Sequence, residues 1–369
     1  MRRRAQEIPA RTARDHYLLA TSITRQGSPD ALPAAITELD EALRRNPRHY
    51  WSLIQRGICH LERGELVEAT ADFGQCTAIW PEFAWGYFNL GCAFDRAGGQ
   101  AAAIRGFTAA LERDPELVPA AVNRGLARLE LNQHAAALAD FERARALGAQ
   151  DARIAAGRGI ALEGLGRHQE ADRAFADCFA QADGMPEATR ARLAWAYGFA
   201  IAARDPARAR AAFADSLRHD PGNPQALYGR AMLAMGQGKE AEALRDFDRA
   251  LEADPGRIEP RRYRAILLAR RGDWRRATQE INQCLARQPR SASTLDSAAC
   301  VVARASDARG KAELAGQALD LLERAPAEGA DPAKAVVDPD LAGIRRLPRS
   351  HRLIGRGQGS PVACSSGPR

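Results

Sequence analysis

The sequence predicts an all-α fold, a solenoid of antiparallel helical hairpins, and three observations predict it. First, residues recur every 34 positions: Gly57, Gly91, Gly125 and Gly159, then Phe73, Phe107, Phe141 and Phe175, then Ala69, Ala103, Ala137 and Ala171. A fixed period between 20 and 50 residues is the mark of a repeat array. Second, apolar residues follow helical spacing in two stretches per period, separated by turn-forming "RGEL", "AGGQ", "GLGR", "GQGK" or "RGDW". Third, Pro47, Pro81, Pro115, Pro221, Pro255 and Pro289 share one position of the period, where a residue without a backbone N–H ends the second helix.

The frame places a basic arm at 1–15 and repeats near 16–49, 50–83, 84–117, 118–151 and 152–189. Three more follow at 190–223, 224–257 and 258–291. The fifth carries an insertion around "ADGMPE", and Gly198 falls one residue late in the sixth, a slip that a loop absorbs before Phe213, Phe247 and Ile281 restore the period. Residues 292–347 read as a degenerate ninth hairpin with a C-terminal cap, and 348–369 has the composition of a disordered tail. A single hairpin cannot bury its apolar face, so each unit depends on its neighbours.

This pattern resembles the tetratricopeptide repeat (TPR) family. The third repeat carries its signature as Tyr87, Leu90, Gly91, Phe94, Ala103, Phe107, Ala110 and Pro115, and the resemblance covers about 16–291. Departures are mild: Ala149 and Asp183 stand for proline, Ala231 and Ala265 for glycine. The resemblance implies a superhelical TPR solenoid of about eight repeats plus the degenerate ninth. It also implies a concave groove lined by first helices, with ligand-facing side chains at the second, fifth, sixth, ninth, twelfth and thirteenth repeat positions. Carried over, the second repeat offers Trp51, Ile54, Gln55 and Ile58. The third offers Trp85, Phe88, Asn89 and Cys92, and the fourth Asn123 and Leu126. Trp51 and Trp85 are candidate anchors, because large aromatics in a concavity are the usual hot spots. The alternative for them is packing beneath a hairpin loop. Gln55, Asn89 and Asn123 form an amide row that resembles the asparagine ladder of O-linked N-acetylglucosamine transferases, although the fifth repeat breaks it with Gly157. A primary amide donates and accepts, so such a row suits the backbone of an extended peptide. The carboxylate clamp of heat-shock co-chaperones is not matched, since Ile54 and Ile58 stand where its lysine and asparagine belong.

Five arginines share one repeat position, Arg56, Arg124, Arg158, Arg230 and Arg264. Four have an acid 16 residues later: Asp72, Asp140, Asp246 and Glu280. The spacing predicts salt bridges within hairpins, near the surface and worth about 0–1 kcal/mol each. Arg158, followed by Ala174, is left free to face a ligand.

Composition excludes several other functions. All but three of the 53 basic residues are arginine, spread along a chain of net charge +7, which lacks the clustered patch that nucleic acid requires. The seven cysteines show no metal spacing and read as reduced, mostly buried residues of a cytoplasmic protein. The seven histidines are scattered, as surface or loop residues, with no HExxH. "GRGQG" precedes no helix and lacks GK[ST], so it reads as tail. No apolar run is long enough to span a membrane, and no kinase signature is present. No catalytic residue, metal or cofactor is expected. The partner expected is a protein or extended peptide, self-association included. The segment "DPDLAGIRRLPRSHRLI" resembles the closing part of repeat tails on certain bacterial serine/threonine protein kinases, which offers a second reading: a detached regulatory region of a kinase system.

Overall fold

The computed structural model describes residues 12–25, 31–181, 184–310, 312–329, 331 and 338–350. Among these the chain is helical throughout, and it divides into two compact units at Met185 and Pro186. The first unit holds five hairpins: α1 (Ala13–Thr24) with α2 (Ala31–Arg45), α3 (Tyr50–Arg63) with α4 (Leu66–Ile79), and α5 (Ala84–Arg96) with α6 (Gln100–Arg113). It continues with α7 (Val118–Glu130) and α8 (His134–Ala146), then α9 (Ala152–Gly164) and α10 (His168–Gln181). The second unit holds four: α11 (Glu187–Ile201) and α12 (Pro206–His219), α13 (Pro224–Gly236) and α14 (Glu240–Ala253), α15 (Ile258–Arg270) and α16 (Trp274–Arg287), α17 (Ala292–Arg309) and α18 (Ala312–Arg324). The first helix starts at Ala13, inside the stretch read as an arm, because Thr12 and Asp15 form a reciprocal capping box there. The rest of that arm, the glycines of "GRGQG" and the tail from 351 lie outside the described residues.

Seven of the described hairpin turns pass through one residue with positive φ, Gly310 among them, while the turn between α11 and α12 has none. Gly64, Gly98, Gly166, Gly238 and Gly272 occupy this place, and Asn132 fills it in the fourth hairpin at φ 56°. Asparagine is the residue best able to replace glycine in that conformation.

The phenylalanine position forms the spine of both units. Phe73, Phe107, Phe141, Phe175, Phe213 and Phe247 are fully buried, as is Ile281 in the same place. Glycines make the room for them. A Cβ on Gly125 would lie 2.9 Å from the Phe141 ring, and one on Gly157, in the next hairpin, would collide with the same ring. The ring therefore joins two hairpins, and the glycine that breaks the amide row at 157 has a packing cause. In the third hairpin, where Leu90 and Gly106 replace the arginine–acid pair, a Cβ on Gly106 would lie 2.8 Å from the Gly91 Cα. There the two helices close backbone to backbone.

The last hairpin is capped. Turns of 3₁₀ helix at Pro339–Leu341 and Ile344–Arg346 bury Leu341 and Ile344, and Arg270 grips the Asp340 carboxylate through three hydrogen bonds of 2.7 to 3.1 Å. Residues 348–350, read as the start of the tail, are helical and bury Ser350.

Candidate functional site

The four arginine–acid pairs form as the spacing predicts. Arg56 bonds Asp72, Arg124 bonds Asp140, Arg230 bonds Asp246 and Arg264 bonds Glu280. Two expectations about them are corrected. The three aspartates are buried, not near the surface, with the Asp72 and Asp140 side chains each 3% exposed, and Glu280 is half-buried. Nor is Arg158 free, for its Nε donates to Glu142 Oε1 at 2.9 Å, across to the preceding hairpin. Glu142 lies 16 residues upstream, and looking only downstream missed it. The same upstream reach brings Arg56 to Asp40, Arg124 to Thr108 and Arg264 to Asp248. The arginines form a ladder between hairpins as well as within them.

Most groove candidates lie on the first helices with partial exposure. Trp51 is 47% exposed and Trp85 41%, while Leu126 is also exposed. Gln55, Ile58, Phe88, Asn89, Cys92 and Asn123 are half-buried. Ile54 departs from the expectation: at 9% exposure it belongs to the core cluster of Leu53, Phe73 and Ala93, because neighbouring helices cover its apolar side chain. Trp51 makes edge contacts with Tyr50 at 5.3 Å and Phe83 at 6.1 Å, and Phe83 stacks on Trp80 at 4.5 Å. One edge of Trp51 thus packs against the loop that follows its own hairpin, not that of the preceding one, and the rest meets solvent. Trp85 meets Phe88 edge-on at 5.3 Å, and Phe88 leans on buried Phe107.

The amide row is already half engaged. Asn89 Nδ2 donates to the Trp85 carbonyl at 2.9 Å, and Asn123 Nδ2 donates to Cys92 Sγ at 3.6 Å. One N–H of each amide is engaged within the chain, which leaves the oxygen and the second N–H of each to meet a peptide backbone.

Burial pushes the Cys92 thiol up to about 11, even though the Asn123 hydrogen bond works the other way. The other thiols among the described residues are buried. At pH 8 the thiolate fraction of Cys92 is then about one in a thousand. Iodoacetamide labelling followed by mass spectrometry should show slow modification at Cys92, rising about tenfold per pH unit between pH 7 and 9. A rate that is flat over that interval would contradict the burial assigned to it.

Sequence reasoning passed over two aromatics. With the one-residue slip applied, Trp195 and Phe199 take the fifth and ninth repeat positions of α11, their rings 6.1 Å apart and Phe199 62% exposed. Gly198 carried the signal, since it marks the eighth position. The histidines are also less idle than their scatter implied: His16 is buried and bonds Glu38 at 2.7 Å, and His60 bonds Glu65 at 2.6 Å.

One cluster among the described residues has ligand-type atoms converging, Cys300 with Asp338 and Asp340. A cation there would have to displace Arg270, 2.7 Å from Asp340, and Arg304, 3.7 Å away. The cluster's chemistry is that of a clasp for the cap. No helix among the described residues is long and apolar enough to cross a membrane.

A family model for the tetratricopeptide repeat matches residues 88–152, 122–186 and 200–258, ending short of the segment that resembles kinase repeat tails. No curated protein matches the chain. Among solved structures, a tetratricopeptide repeat protein from Parabacteroides merdae ATCC 43184 is 18% identical with a TM-score of 0.61, covering 69% of this chain and 98% of that one. A chain of the APC/C hetero-tetramer Cut9–Hcn1 is 16% identical with a TM-score of 0.52, covering 70% of this chain and 53% of that one. Residues 88–186 and 200–258 are thus tetratricopeptide repeats, and the chain has the tetratricopeptide-repeat solenoid fold.

Proposed function

We propose that this chain is a non-enzymatic scaffold that captures an extended segment of a protein partner on the first helices of its second to fourth hairpins. Tetratricopeptide repeats commonly mediate protein–protein interaction and are typically non-catalytic. The observation that carries the reading is the pair Trp51 and Trp85, half-exposed at equivalent positions of α3 and α5 beside the amide row. Apolar partner side chains are buried against Trp85, Phe88 and Leu126, while the oxygens of Asn89 and Asn123 accept from partner backbone N–H groups. Such pairing ignores the partner's side chains, and selectivity then comes from what fits between the aromatics.

Cross-linking mass spectrometry on the purified full chain identifies the partner. Trp85→Ala with Asn89→Ala should then abolish its capture, corresponding to a loss of about 2 kcal/mol or more at an aromatic anchor. Because Trp85 is half-exposed and outside the buried core, far-UV circular dichroism should stay unchanged. Undiminished capture by a folded double variant would sink the site.

A further inference from the structure

Four of the five ladder arginines find an acceptor sixteen residues back, in the preceding hairpin. For Arg56 it is Asp40 at 2.6 Å, for Arg124 Thr108 at 3.1 Å, for Arg158 Glu142 at 2.9 Å, and for Arg264 Asp248 at 2.8 Å. Arg230 is the exception. The residue sixteen back is Ala214, whose exposed methyl accepts nothing. Nε and Nη2 of Arg230 each reach Asp246 at 2.7 Å, and its remaining terminal nitrogen has no hydrogen bond among the described residues.

A cavity of about 290 Å³ opens at that place, with Ala214 in its wall and Arg210, Arg230, Arg245 and Arg249 around it. The two acids in the lining are already taken, Glu242 by Arg210 at 2.6 Å and Asp246 by Arg230. Arg249 donates to the Pro221 carbonyl at 2.9 Å, and exposed Arg245 has no hydrogen bond or ion pair among the described residues, although its charge acts on Glu242. Four guanidinium groups thus face two carboxylates, and the lining keeps an excess of positive charge.

We propose that this cavity binds a carboxylate side chain from an acidic segment of a protein partner, which completes the arginine ladder from outside the chain. The chain itself supplies the template. Where the ladder is completed by a charge, the group that fills this place is the carboxylate of Asp40, Glu142 or Asp248. A guanidinium with a free edge offers the parallel donors that a carboxylate accepts. The site uses other residues than the tryptophan face, in the other compact unit, so either assignment can fail alone.

The test titrates fluorescent, end-capped hexaglutamate and hexaglutamine peptides against the full chain, read by anisotropy. The wild type should bind hexaglutamate and not hexaglutamine. Ala214→Glu should weaken hexaglutamate binding about tenfold or more, because the new carboxylate takes Arg230 as Glu142 takes Arg158. Ala286→Glu adds the same charge at an exposed position of α16, outside the lining, and should change affinity by less than about twofold, as expected for a screened surface charge. Equal weakening by both variants would reduce the effect to general attraction and overturn the site. So would unchanged binding by Ala214→Glu, or equal binding of the two peptides.

Discussion

Replacing Arg56 with methionine should destabilise the second hairpin by about 3–5 kcal/mol, the cost of leaving a buried carboxylate without its partner. Arg56 holds Asp72 through Nε at 2.9 Å and Nη2 at 2.6 Å, and it reaches Asp40 of the preceding hairpin through Nη1 at 2.6 Å. The Asp72 hydrogen bonds outweigh desolvation and raise the guanidinium pKa further above its ordinary value. Without Arg56 the nearest cation to Asp72 is His60, 4.0 Å away and charged only when protonated. Urea unfolding measures the loss, and hydrogen exchange should localise it to α3 and α4. The double variant Arg56→Met, Asp72→Leu should recover most of it, since removing both members of a buried pair is often close to neutral. A single-variant cost below about 1 kcal/mol, the value for exposed pairs, would show that the bridge behaves as a surface contact after all.

Phe141→Ala should cost about 3–5 kcal/mol, as expected for deleting a fully buried ring. The ring is sealed between Gly125 of its own hairpin and Gly157 of the next, and neither glycine has a side chain that could fall into the space. Stability in a repeat array is a sum of hairpin and nearest-neighbour terms. The damage should therefore appear in two hairpins at once. Hydrogen exchange should accelerate in both α7–α8 and α9–α10, while α1 and α2 keep wild-type protection. Loss confined to α7–α8 would mean that the ring serves one hairpin only.

The period, the hairpins and the buried phenylalanines were legible in the sequence because they depend on local spacing, which one repeat states and the next confirms. The four downstream arginine–acid pairs were legible for the same reason: 16 residues is a fixed step within a hairpin. What escaped was upstream. Glu142 stands at the same step on the other side of Arg158, but its bond crosses between hairpins, and treating each repeat as self-contained hides it. The proposed binding face was legible by position and not by burial. Ile54 occupies a groove position of the family yet belongs to the core, whereas Trp51 three residues earlier stays at the surface. Trp195 and Phe199 escaped because the insertion before α11 shifts the frame by one residue, and on a helix one residue is about 100° of rotation.

The ladder makes the hairpins unequal as building parts. The third neither gives nor receives a ladder bond to a carboxylate, since Leu90 and Gly106 occupy its arginine and acid places, Gly74 of the second hairpin stands opposite, and its own Thr108 meets Arg124 with a hydroxyl. Excising 84–117 would bring the fourth repeat against the second without severing one such pair. Excising 118–151 would set Arg158 opposite Thr108, with Ala174 on its other side, and leave it no carboxylate in either direction. Duplication and loss, the ordinary history of repeat arrays, thus meet a grammar here: some hairpins can change neighbours freely, and others carry a charge that names the neighbour they need.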